Sequence, residues 1–171
     1  MYRNQYPYQV HPHYYTDQNY RNYSHFNTIP QNYQYARAQD YGKQPFVLDI
    51  NQATLQNNTY RTAIWTGQYL QTTLMSIPVY GDIGLERHPD LDQFLRIEQG
   101  QGIVQMGKDK NNLTFQQPVA DDYAIYIPAG YWHNLTNVGN VPLKLYSIYA
   151  PPNHPPGTVH VTKADAMAAE E

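Results

Sequence analysis

Asp122-Tyr-Ala-Ile-Tyr-Ile-Pro128-Ala-Gly130-Tyr-Trp-His133-Asn-Leu-Thr-Asn137 is the stretch whose reading decides the fold. Residues 124–127 and 132–137 read as two short strands, with Pro128-Ala-Gly130 as the turn between them and Asn137 as a second fold determinant. Working outward, short apolar runs alternate with turn signals at close spacing from residue 46 onward. Further strands are expected at 62–66, 69–77, 83–88, 93–98, 102–106, 113–115 and 143–149, several of them bounded by Gly, Pro or Asn. That rhythm marks an all-β sandwich or barrel. A short helical pattern runs to Leu55. Thr162, three residues before Asp165, predicts a capped C-terminal helix.

The composition changes at Gln44-Pro45-Phe46, where the apolar segment Phe46-Val47-Leu48 begins, and the domain boundary is placed there: a tail over 1–43 and a domain over 44–171. Residues 1–43 hold ten of the chain's eighteen tyrosines, five Asn, six Gln, three Pro and three His. Val10 and Ile29 are the only branched aliphatics in the segment. Such a stretch buries too little to offset the entropy of ordering its backbone and is expected to be disordered in isolation. Tyr/Asn/Gln-rich sequence is also adhesive, since phenol rings stack and amides ladder between chains. The plain alternative is a solvated extension with no role. His11 and His13 offer at most a loose metal site.

Eleven basic and fourteen acidic residues in 171 leave a net charge of −3. No field favours nucleic acid or an anionic membrane as partner. The absence of cysteine excludes disulfides, thiolate metal sites and a cysteine nucleophile. No run reaches the length of a membrane span, and the N-terminus lacks the basic start and apolar stretch of a signal peptide, so a cytoplasmic location is expected.

A second informative stretch lies about twenty residues upstream of the first: Gly81-Asp-Ile-Gly-Leu-Glu86-Arg-His88-Pro-Asp90-Leu-Asp92-Gln93-Phe-Leu-Arg-Ile-Glu-Gln-Gly100-Gln-Gly102. Together the two resemble the signature motifs of the cupin superfamily. Its second motif runs glycine, five residues, Pro-x-Gly, two residues, His, three residues, Asn. Pro128, Gly130, His133 and Asn137 fall in register with it, and Asp122 stands where the leading glycine would be. The first motif runs glycine, five residues, His-x-His, three or four residues, Glu, six residues, glycine, and here the sequence departs from it. A four-residue spacer puts Gln93 at the glutamate position, His88 at the second histidine and Glu86 at the first, with Gly81 one residue too near. A three-residue spacer restores Gly81 but puts Arg87 and Pro89 at the histidine positions. The first register is preferred, because Glu86 and His88 share a strand face while Gln93 lines up with Leu95 and Ile97.

The resemblance covers about residues 46–165. It implies a small single-domain cupin, an all-β jelly-roll barrel (double-stranded β-helix) with short terminal helices, holding a metal between the two motifs. Carried over position by position, the ligands are Glu86, His88, Gln93 and His133. Two imidazoles and a carboxylate suit Fe(II), Mn(II), Ni(II) or Zn(II) and leave positions open for substrate. Gln93 is a weaker donor than the usual carboxylate, and Glu86 in place of a histidine restores the lost charge. Each residue also has a plainer reading. Glu86 can pair with Arg87, Arg96 or a lysine. Gln93 can be a buried amide serving backbone groups, and Asp90 and Asp92 fit turn chemistry. Tyr126, Tyr131 and Trp132 are candidates to wall a substrate pocket, or to fill a core. His154 and His160, outside the motifs, receive no role.

Three functional classes follow. The first is a metal-dependent small-molecule protein, enzyme or binder. Isomerases, oxidases and dioxygenases share the fold, and no phosphate-binding loop or basic cluster favours a phosphosugar. In the second, the barrel is delivered to a surface assembly by its tail, whose composition is similar to that of bacterial spore coat proteins. In the third, a metal-free barrel acts as a homodimerising or ligand-sensing module, with residues 46–50 supplying an edge strand.

Overall fold

The structure, a computed structural model, describes residues 39–169. The expectations for residues 1–38, of disorder, self-association and a loose histidine pair, lie outside the described residues.

Ten strands and two helices follow one another in the order α1 (Ile50–Gln56), β1 (Arg61–Thr66), β2 (Gln71–Ile77), β3 (Glu86–Arg87), β4 (Asp92–Gln99), β5 (Gln101–Gly107), β6 (Phe115–Ala120), β7 (Ala124–Ile127), β8 (Trp132–Asn137), β9 (Leu143–Ala150), β10 (Val159–His160) and α2 (Lys163–Ala168). They form two antiparallel sheets, one of six strands in the order β10-β1-β2-β9-β4-β7 and one of four in the order β3-β8-β5-β6. This is a jelly roll with short helices at either end. Among the described residues no helix is long and apolar enough to cross a membrane.

Both helices are capped by side chains. Asp49 accepts from Gln52 N, and Thr162 and Asp165 form a reciprocal capping box. Where strands differ from expectation, local chemistry explains it. The expected strand at 83–88 shrinks to Glu86–Arg87, because Gly84 sits at φ +82 and breaks the ladder before it. The strand expected at 113–115 runs instead from Phe115 to Ala120. Its first four residues are exposed, so no apolar alternation announces it, and Pro118 is tolerated because β6 is an edge strand. β10 is a two-residue strand paired with Arg61 and Thr62, too short to show a period. Residues 46–49 form no strand. Leu48 and Ile50 pack instead against Ala53, Ile64 and Leu74 on the outer face of the large sheet.

The barrel interior has a polar end and an apolar end, set by register. Across β2, β9 and β4, Gln71, Tyr149 and Gln93 lie side by side. The next inward layer holds Thr73, Ser147 and Leu95, and the one beyond holds Met75, Leu145 and Ile97. Moving along each strand, polar residues therefore give way to the aliphatic core, where Ile77, Leu95, Ile97, Leu135, Leu143 and Leu145 are at most 1% exposed. That core supplies the hydrophobic stabilisation and leaves the other end free for polar work.

The packed domain reaches back past Gln44. Tyr41 N donates to Ile64 O, and the Asp40 carboxylate accepts from Gly42 N, Thr66 N, Thr66 Oγ1 and Gly157 N. Gly42 lets this approach happen, since a Cβ there would lie 2.2 Å from Thr66 O.

Candidate metal centre

Three donor atoms converge at the polar end of the barrel. Glu86 and His133 are cross-strand partners on β3 and β8, so both side chains point inward while their neighbours Arg87 and Trp132, also partners, point outward. His88 lies two residues past Glu86 on the same face. Glu86 Oε1 stands 3.2 Å from His133 Nε2 and 3.4 Å from His88 Nε2, and one donor from each residue lies within 4.8 Å of the others. Ligands about 2.1 Å from one ion are separated by about 3.0–3.4 Å in octahedral or tetrahedral geometry. The two Glu86 distances match that spacing.

The loop after β3 is tied to the turn before β8. Gly130 N donates to His88 O at 2.7 Å, and Ala129 N donates to Asp92 Oδ1 at 2.9 Å. Asp92 is thus turn chemistry, as its sequence context suggests. Gly130 takes φ +80, which a Pro-x-Gly turn requires here. Asn137, 1% exposed, donates to the carbonyls of Ile77, Pro78 and Val141 and accepts from Gly139 N, so it staples the far end of β8. Asp122, at the position of the motif's leading glycine, adopts φ +68 and pairs with Arg96. Aspartate is among the few non-glycine residues that tolerate this region.

The electrostatics suit a cation. His133 Nδ1 lies 3.1 Å from Tyr131 O. A carbonyl only accepts, so Nδ1 carries a proton toward Tyr131 O, and Nε2 is the ring atom that faces Glu86. Burial opposes ionisation of Glu86. Hydrogen bonding and charge from His133 and His88 outweigh it and hold the carboxyl well below the usual range. The second oxygen, Oε2, is 4.0 Å from Nη2 of Arg61, whose side chain is 2% exposed. Glu86 therefore serves both histidines and Arg61 rather than Arg87 or Arg96. Arg87 stacks on Trp132 at 5.3 Å, and Arg96 engages Glu98 and Asp122.

The chain resembles known proteins along most of the described domain. Residues 73–149 match the cupin domain family. YrkC of Bacillus subtilis is 69% identical over 132 residues, 77% of this chain and 71% of that protein. The chain belongs to the cupin family. A crystal structure of BH2720 from Bacillus halodurans, 65% identical, superposes with a TM-score of 0.76 over 76% of this chain and 98% of that one. TT1209 from Thermus thermophilus, at 18% identity and a TM-score of 0.53, shares the fold.

In this cupin, Gln93 lies on the inner face of β4, 3% exposed, beside Tyr149. Its Nε2 donates to Ser147 Oγ at 3.1 Å, and its Oε1 accepts no hydrogen bond. A buried acceptor without a donor is costly, and a cation or ligand would relieve it. The expected pocket aromatics divide. Tyr131 packs against the core, whereas Tyr126, 71% exposed, and Trp132 occupy outer faces of their strands because they alternate with inward Ile125, Ile127 and His133. Tyr126 lies against Phe94 at 5.1 Å, and Trp132 lies between Arg87 and Lys110.

The inward ring beside the histidines is instead Tyr149. It is fully buried and meets His88 edge-on at 5.7 Å and His154 at 5.1 Å. Tyr149 ends the inward row Leu143, Leu145, Ser147, Tyr149 of β9, where an aromatic reads as core. Arg61 carries no motif at all, and the prior against burying arginine hides it.

Proposed function

We propose that this cupin holds one divalent transition metal, of the class Fe(II), Mn(II), Ni(II) or Zn(II), through Glu86, His88 and His133, and binds or converts a small molecule beside it. The observation that carries the reading is the meeting of three lone-pair donors inside the barrel with the His133 tautomer fixed by Tyr131 O. A metal bound there would act as a Lewis acid toward an oxygen of the ligand. The chain's own contribution is orientation: β3 and β8 set Glu86 against His133, the Gly130 contact anchors His88, and the Tyr131 carbonyl raises the basicity of the His133 ring. Gln93 Oε1, buried and unpaired, is the candidate neutral fourth donor.

Metal analysis of protein loaded anaerobically with each of the four ions tests this. One tightly held ion per chain is expected, with His133→Ala and His88→Ala each weakening binding by about a hundredfold or more. Failure of all four ions to bind folded wild-type protein would sink it.

A further inference from the structure

We propose that this cupin pairs with a second copy of itself through the outer face of its six-stranded sheet. The contact lies on the opposite side of that sheet from the metal site and does not depend on it.

Strand register lines up Trp65, Thr72, Ile148, Phe94 and Tyr126 as one row across β1, β2, β9, β4 and β7. Their neighbours Gln71, Tyr149, Gln93 and Ile127 are buried in the barrel, so the row points outward. Helix α1 covers the next row along the strands, where Leu74 and Tyr146 are partners, and leaves this one partly exposed. Two adjoining cavities of about 580 and 320 Å³ lie along the row and share Ile148, its middle residue. Phe46 and Leu48 border the larger one. The segment expected to pair as an edge strand therefore adds to a face instead. A solvated sheet face carries polar residues at its outward positions, whereas this row holds three aromatics and an isoleucine, the composition of an interface core.

Charge and shape select the occupant. Among the described residues Lys43 is the charged group that lines the cavity at the β1 end, and Asp92 is the one that lines the cavity at β4 and β7. Asp92 gives Oδ1 to Ala129 N and keeps Oδ2 for another partner. A two-fold axis running along β9 at Ile148 sets the β1 end of each copy against the β7 end of the other. Trp65 then lies over the partner's Tyr126, Ile148 over the partner's Ile148, and Lys43 turns toward the partner's Asp92. The same attraction occurs twice, so a face with opposite charges at its two ends is complementary to itself. Shape points the same way. A helix laid along the strands is about 10 Å across and covers two or three of the five. A second sheet, stacked about 10 Å away with its strands nearly aligned, covers them all.

Sedimentation equilibrium of the full chain tests the proposal. A two-chain species with a micromolar or tighter dissociation constant is expected. Tyr126→Lys, a change at an exposed position that leaves the core alone, and Ile148→Glu should each weaken it by at least about a hundredfold, since each substitution enters the contact twice. Metal content should not change. Lys43→Glu should weaken the dimer about tenfold at low salt and less at about 0.5 M salt, because it sets like charges against each other. The chain's other tryptophan is Trp132, so a Trp132→Phe background isolates Trp65. Quenching of Trp65 by acrylamide should fall as protein concentration rises through the dimer range. A different protein as the natural occupant predicts a single-chain species at all concentrations, and another stretch of this chain predicts a Trp65 already shielded at the lowest concentration. Either result would overturn the proposal. So would a dimer that both Tyr126→Lys and Ile148→Glu leave intact, or one that Lys43→Glu does not weaken.

Discussion

His154 is a histidine that the fold keeps neutral. Burial, with the positive charge of Arg61 adding, pushes its imidazole down to about 3 from an ordinary 6.5, although Glu86 pulls the other way; His160 and His88 add to the depression. The unfolded chain takes up a proton near pH 6.5 that the folded chain refuses, so this residue's contribution is fully present above 6.5 and is lost as the pH falls toward 3. The loss approaches about 1.4 kcal/mol per pH unit for one proton. Urea unfolding at pH 7, 6 and 5 should show wild type losing stability more steeply than His154→Phe, which retains a ring against Tyr149. Identical slopes would refute a neutral His154. The sequence shows little of this. His133 and Asn137 are legible because both lie at fixed offsets from one Pro-x-Gly turn. His154 meets Tyr149 only because the segment after β9 folds back over the barrel end, and no local pattern encodes a long return of that kind. Arg61 is hidden for a related reason: it is 25 residues from Glu86 in sequence, and the two meet between facing sheets, β1 lying in the six-stranded one and β3 in the four-stranded one.

At the scale of elements, the segment before α1 is fastened by one carboxylate. Asp40 accepts four hydrogen bonds, from its own turn at Gly42, from Thr66 at the end of β1, and from Gly157 in the loop before β10. Burial opposes its ionisation, yet these donors, Thr66 foremost, hold its carboxyl below the usual value of 3.8. Asp40→Ala strands Thr66 and frees the Gly157 loop, and should lower unfolding free energy by about 2 kcal/mol. Asp40→Asn keeps one acceptor oxygen and should lose roughly half as much. Equal stability of Asp40→Ala and wild type in urea melts would refute the clamp. The chain around Asp40 is polar and tyrosine-rich, so composition alone assigns it to the tail; a clamp made of donors from its own turn and from two distant segments leaves no mark in hydropathy. Alternation locates the strands well where one face meets the core, as in β4, β8 and β9. It fails for β6, whose first four residues face solvent, and for β3 and β10, which at two residues each span a single period and cannot show a repeat.

Over the whole molecule, the two ends of the barrel divide the work. Met75, Ile97, Leu143 and Leu145 close one end with aliphatic packing. The other end holds Arg61, Glu86, His88, Gln93 and His133 at the cost of burying charge. The polar end is therefore the less stable half of the domain without its ion, and binding there couples directly to folding. A ligand at a hundred times its dissociation constant adds about 2.7 kcal/mol if it binds only the folded state. For a domain of this size that corresponds to roughly 10 °C in melting temperature. Metal-loaded protein should therefore melt about 10 °C above the same protein dialysed against chelator, and the shift should grow with free metal concentration. His133→Ala should show no such response while retaining a cooperative transition, because the aliphatic end does not depend on the metal. Glu86→Gln, which removes the anionic ligand but keeps its shape, should keep only a fraction of the shift. A melting temperature indifferent to chelator in protein that analysis shows to be metal-loaded would mean that the ion sits outside the barrel. It would then move the metal away from Glu86, His88 and His133.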